Sequence, residues 1–193
     1  DKIENTSGSI LFSLDDRYIF YSKLDENHRP KKIFRHEIGK SIKEDLLIFE
    51  ERTPAFTVSI GISADEKYYF INSSDHNTSE KYYFKSNESL PKPKIVRKRE
   101  KGIIYSVSSW GGYFYIHTNK GAEDFKIERS RDIEASKWEV FIPAKNETMI
   151  GGLTFLKNWI IRSELNNALD KIFVRDINSN NEEELIFTDE EVY

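Results

Sequence analysis

Four histidines, His28, His36, His76 and His117, share the chain with many serines and aspartates, so the parts of a Ser-His-Asp relay are present by residue type. Such a relay needs a serine hydroxyl exposed on a Gly-x-Ser-x-Gly turn between a strand and a helix, with an imidazole to take its proton and amides to hold the oxyanion. That turn is absent. Gly8 with Ser9, and Gly61, Ile62 and Ser63, lack the second glycine and the following helix, and read as turn and strand-end residues. His36 falls in a mixed strand, His117 in an aromatic strand, and His28 and His76 in polar turns, where surface or packing roles are expected. No catalytic residue is assigned.

Other chemistries fare no better. Asp75 and His76 adjoin in one turn, but no second ligand pair follows at a metal-binding spacing, so an ordinary turn is expected and no metal site. The acidic tail, Glu182 to Glu184 and Asp189 to Glu191, lacks the glycine and ligand rhythm of a calcium loop and reads as a solvated strand border. Gly111 with Gly112, and Gly151 with Gly152, precede no helix whose amides could cradle a phosphate, and fit tight turns or close backbone approach. No cofactor is expected.

The charges narrow the partners. Lys plus Arg is 29 and Asp plus Glu is 33, a net charge of −4 with the signs interspersed, which argues against nucleic acid. The most basic window, residues 92–101, is broken by Pro93, Ile95 and Val96 and reads as a solvated edge or loop. No apolar run approaches the roughly 20 residues of a spanning helix, so no membrane is expected. The chain has no Cys, which removes disulfides and thiolate metal sites. Asn-x-Ser/Thr triplets, as at Asn77 and Asn146, read as unmodified loop residues. Residue 1 is Asp rather than Met, so a processed or excised piece is expected.

The elements that would have to position any site are strands. Aromatic residues make up 13% of the chain, mostly Tyr and Phe, and apolar positions alternate with polar ones over short runs. A turn followed by an aromatic strand occurs at Asp15, Asp16, Arg17, Tyr18, Ile19, Phe20 and again at Asp65, Glu66, Lys67, Tyr68, Tyr69, Phe70. It returns at Gly111, Gly112, Tyr113, Phe114, Tyr115 and at Lys157, Asn158, Trp159, Ile160, Ile161, so that Tyr18, Tyr68, Tyr113 and Trp159 step by 50, 45 and 46 residues.

The other strands keep the same step and order. Small-residue strands precede the aromatic ones at 10–12, 57–62, 105–108 and 150–155; mixed strands follow at 33–38, 81–85, 125–128 and 171–177; short apolar edge strands close each unit at 46–49, 95–96, 138–142 and 185–187. Four antiparallel strands repeated about every 46 residues predict an all-β chain of about four β-propeller blades, roughly 9–51, 56–98, 103–143 and 148–188, forming one partial propeller domain over 1–193. Thr57, Ser59, Gly61, Ser106 and Ser108 suit a crowded innermost strand, and Tyr69, Phe70, Phe114 and Tyr115 the gap between sheets. Glu44, Asp45, Glu50 and Glu51 are expected to guard the first edge strand against stray pairing.

Several stretches laid along these strands resemble the propeller of the prolyl oligopeptidase family of serine peptidases, in its oligopeptidase B branch. They are Ile33, Phe34, Arg35, His36, Glu37, Ile38, Gly39; Leu47, Ile48, Phe49, Glu50, Glu51; Thr78, Ser79, Glu80; Tyr105, Ser106, Val107; Phe114, Tyr115, Ile116, His117, Thr118, Asn119; Trp138, Glu139, Val140, Phe141, Ile142, Pro143; and Phe187, Thr188, Asp189, Glu190, Glu191, Val192, Tyr193.

The resemblance implies a non-catalytic fragment of a seven-bladed propeller that partners an α/β-hydrolase domain of the same parent chain. It also implies a cytoplasmic parent that cuts short basic peptides after Lys or Arg, with the propeller restricting access to the active site. This chain alone is expected to be inactive. A stand-alone propeller that binds other proteins is the other expectation, and either way exposed blade faces favour self-association.

Overall fold

The computed structural model describes residues 2–186, and the alternation of polar and apolar residues resolves there into four antiparallel four-stranded sheets. The first contains β1 (Thr6–Phe12), β2 (Tyr18–Leu24), β3 (Pro30–Glu37) and β4 (Leu46–Glu50), with a 3₁₀ turn at Ile42–Glu44 before β4. The second contains β5 (Thr57–Ile62), β6 (Tyr68–Ser74), β7 (Ser79–Lys85) and β8 (Lys94–Arg97). The third contains β9 (Tyr105–Trp110), β10 (Tyr113–Thr118), β11 (Lys126–Ser130) and β12 (Glu139–Ile142). The fourth contains β13 (Thr148–Phe155), β14 (Trp159–Asn166), β15 (Leu169–Asp176) and β16 (Glu182–Glu184). Each sheet is a meander in chain order, so every connection is a local hairpin or loop. The chain divides into two compact units, Asp1–Gly111 and Gly112–Tyr193.

In the first unit the core forms between two sheets. Phe20, Ile33 and Ile48 from one face of the first sheet meet Val58, Tyr69, Ile71 and Phe84 from the second, all at most 8% exposed. Phe20 sits 4.8 Å from Tyr69 and 5.9 Å from Phe84, ring centre to ring centre, so three aromatics fill the gap the sheets' twist leaves. In the second unit Tyr115 of β10 packs on Phe155 of β13 at 5.1 Å and on Phe141 of β12 at 5.4 Å.

Two glycine pairs have distinct causes. Gly111 and Gly112 both take positive φ, 60° and 79°, which a two-residue turn of this hand requires. Gly151 lies where the β13–β14 register shifts, and a Cβ there would stand 2.8 Å from the Ser163 carbonyl oxygen. That backbone contact leaves room for hydrogen only.

The structure corrects three expectations. The fourth edge strand, expected at 185–187, forms instead at Glu182–Glu184, because Glu182 is drawn inward by Arg162 and Arg175; Phe187 lies outside the described residues, as does the similar stretch 187–193. Glu182 is therefore not part of a solvated border. Asp45 and Glu51, expected to guard an exposed edge, are buried with side chains 4% and 5% exposed, since each has cationic or hydroxyl partners waiting inside. Arg99, in the window expected to be a solvated edge or loop, is one of those partners.

Candidate functional site

The histidines were the first candidates for chemistry, and the fold gives two of them defined tasks. His36 in β3 donates from Nδ1 to Asp45 Oδ1 at 2.6 Å, while Tyr21 in β2 donates its phenol to Asp45 Oδ2 at 2.7 Å. Burial, then that carboxylate, drives the Tyr21 phenol well above its ordinary range. The arrangement resembles two members of a proton relay, but both Asp45 oxygens are occupied and no serine hydroxyl is bonded to either imidazole among the described residues. Its evident effect is to pin the segment entering β4 onto the sheet. His117 in β10 donates from Nε2 to the Ile150 carbonyl of β13 at 2.7 Å and stacks on Phe125 at 4.5 Å. Burial lowers its pKa, and the carbonyl only partly opposes that, so the neutral ring is favoured.

The other turn candidates close on themselves. Asp75 accepts from the amides of Asn77 and Thr78 at 2.9 and 2.8 Å, an Asx turn that consumes one carboxylate oxygen, while His76 is exposed.

The densest polar cluster lies in the first unit, where sequence reasoning placed no site. Arg99 Nη2 donates to Glu51 Oε2 at 2.6 Å and to Glu80 Oε2 at 2.7 Å, and its guanidinium lies 4.0 Å from the centre of the Phe56 ring. Glu51 also accepts from the Ser73 hydroxyl at 2.5 Å and the Thr53 amide at 2.7 Å. Burial alone would raise the Glu51 pKa, but Arg99, Ser73 and Thr53 together outweigh it and hold the group at about 2. Glu80 is lowered likewise, burial again being overcome by Arg99. Lys31 complements the cluster by donating to the Thr53 and Pro54 carbonyls at 2.7 and 2.9 Å and to that of Phe56. Two cations and two carboxylates thus lock the 51–56 segment between the first two sheets.

A second cluster occupies the second unit. Arg162, 4% exposed at its side chain, bonds Glu164 at 2.9 Å and Glu182 at 2.7 Å; Lys145 also bonds Glu164, and Arg175 also bonds Glu182. Phe173 lies beneath Arg162 at 4.6 Å. A cavity of about 390 Å³ opens on the fourth sheet between Trp159, Val174, Asp176, Asn181, Glu183 and Leu185, and no histidine lines it.

Each of these groups serves another group of the chain. The signal that could have found the two clusters was phase. Glu80 shares the alternation of Tyr82 and Phe84, and Arg162 and Glu164 share that of Ile160, so each charge sits on a core-facing position.

The profile of the prolyl oligopeptidase N-terminal β-propeller domain matches residues 1–193. Protease 2 of Moraxella lacunata is 36% identical over 131 residues, which is 67% of this chain and 19% of that protein. Oligopeptidase B of Trypanosoma brucei, solved in a closed form with antipain covalently bound, superposes with a TM-score of 0.91 at 27% identity, over all of this chain and 28% of that one. Oligopeptidase B of Leishmania major superposes with a TM-score of 0.89 at 25% identity, over 98% of this chain and 28% of that one. The chain therefore spans between 19% and 28% of the length of these relatives. No helix among the described residues is long and apolar enough to cross a membrane.

Proposed function

We propose a steric role from one established premise: the chain belongs to the prolyl oligopeptidase N-terminal β-propeller family. In its homologues this domain sits with a catalytic peptidase domain. The chain is a non-catalytic part of a propeller that walls the approach to such a domain, carried in the same parent chain, and limits its substrates to short peptides.

The observation that carries the reading is the superposition of the whole chain on an oligopeptidase B solved in a closed form with antipain covalently bound, at a TM-score of 0.91. The polar groups support it, because the buried ions and both bonded histidines are used to fasten strands and sheets together. A wall of rigid sheets admits an extended peptide when the domains part and turns away a folded one. The parent's substrates are proposed to be short basic peptides cut after Lys or Arg, in the cytoplasm, and a net charge of −4 gives such peptides a mild attraction.

The test uses a fluorogenic peptide with Arg before the scissile bond. The 193-residue chain alone is expected to show no turnover, and turnover abolished by an active-site serine reagent would overturn the assignment. The full-length protein is expected to cut that peptide and to spare a folded protein carrying the same sequence in an exposed loop. Equal cleavage of both would refute the gating role.

A further inference from the structure

Ile150 of β13 is held by the third sheet through both its amide and its carbonyl. The amide donates to the Asp124 carbonyl at 2.9 Å, and the carbonyl accepts from Nε2 of His117 in β10 at 2.7 Å. Ile150 is fully buried, so neither group has water to fall back on. Phe125, at a φ of 68°, stacks on the imidazole at 4.5 Å and shields one face of it.

The start of the third sheet is held in the same way without a titratable group. Tyr105 of β9 is bound by the Ser79 hydroxyl, which accepts its amide at 2.7 Å and donates to its carbonyl at 3.0 Å. The fourth residue beyond Tyr18, Tyr68, Tyr113 and Trp159 is Ser22, Asn72, His117 and Ser163 in turn. One of these four equivalent positions can therefore take up a proton near neutral pH.

No charge that faces this ring bonds it. Along its own face of the third sheet stand Arg129, paired with Glu139, and Arg131, laid on the Tyr113 ring. Lys126 and Glu128 alternate onto the opposite face and pair with each other. Strand β13 carries no charged residue, and Glu164 of β14, opposite Ile150, is taken by Lys145 and Arg162. In the loop before β11, Lys120 and Glu123 are exposed, and Asp124 meets Ile150 through its carbonyl. Burial without a counter-ion lowers the His117 pKa below its ordinary 6.5, and the Ile150 carbonyl opposes this in part.

We propose that His117 is an acid-released latch between the third and fourth sheets. As the neutral ring it lends its Nε2 proton to the Ile150 carbonyl and lies flat on Phe125. A second proton, on Nδ1, puts a full charge where no carboxylate receives it, and the ring turns out to water and leaves Ile150 on its Asp124 bond alone. The folded chain takes that proton at lower pH than the unfolded chain does. The latch is therefore fully closed above pH 6.5 and weakens as pH falls below it.

The test follows the 193-residue chain between about pH 8 and pH 5 by the NMR titration of the His117 ring, hydrogen exchange at the Ile150 amide, and melting temperature. The ring is expected to titrate below 6.5, and Ile150 protection to fall a few-fold in the same window, as a local opening does. His117→Gln, whose side-chain amide can still donate to the carbonyl but cannot titrate, should hold Ile150 protection constant and lessen the fall in melting temperature. Ile150 reads this seam alone, so titration of His36 in the first unit does not enter. A ring that titrates at or above 6.5 would overturn the latch, as would Ile150 protection that ignores pH or declines equally in His117→Gln. If His117→Gln does not fold, the ring titration and Ile150 exchange of the unaltered chain decide the matter.

Discussion

Arg99 Nη2 stands 2.6 Å from Glu51 Oε2, joining residues 48 positions apart through the interior of the first unit. The contact ties the segment that leaves the first sheet to the segment that leaves the second, and Glu80 on β7 receives the same guanidinium at 2.7 Å. Three residues that local sequence places in two loops and a strand become one fastening.

Removing the cation should be costly, because two carboxylates with side chains 5% and 7% exposed would lose their counter-ion. Arg99→Met is expected to destabilise the chain by about 3 kcal/mol in urea unfolding, as loss of one partner of a buried ion pair does. Adding Glu51→Gln should restore part of that loss. A loss as small as that from breaking the exposed Lys2–Glu4 pair would show that the clamp is screened by water.

The same clamp sets an acid limit. Glu51 is held at about 2, below its ordinary value of 4.5, so the folded protein binds its proton later than the unfolded chain does. Its stabilising contribution is then complete above pH 4.5 and is lost as pH falls towards 2. Melting temperature is expected to fall through that window, and Glu51→Gln should flatten part of the decline. An unchanged pH profile in that variant would assign the acid sensitivity to other carboxylates, such as Glu80 and Glu182, which are lowered too.

Apolar side chains remain uncovered on sheet faces of each unit. Ile10, Phe12 and Leu47 of the first sheet are 57%, 50% and 45% exposed, and Trp159 and Ile186, on and just after the strands of the fourth, are 42% and 73% exposed. The chain is expected to self-associate with rising concentration in light scattering, and Ile10→Ser with Phe12→Ser should reduce that association. A strictly monomeric chain at high concentration would contradict this.

Much of the fold was legible because a strand's pattern is local. Tyr18, Tyr68, Tyr113 and Trp159, spaced by 50, 45 and 46 residues, each begin the second strand of a sheet. Hairpin connections keep paired strands adjacent in sequence, so the repeat and the pairing coincide. The clusters were not legible in the same way. Asp45 and Glu51 flank a short apolar run and look like edge charges until their partners are placed, and those partners lie 24 residues away at Tyr21 and 48 at Arg99.

Residue order alone determined the all-β class, the four-strand unit and its recurrence, since alternation and turn chemistry act over a few neighbouring residues. Tertiary structure decided which charges are interior. Desolvation makes an unpaired buried charge intolerable, so Glu51, leaving the first sheet, and Glu80, on the second, could turn inward only where the segment after β8 delivered Arg99 to both. That delivery depends on how the sheets stack, which no short stretch of sequence contains.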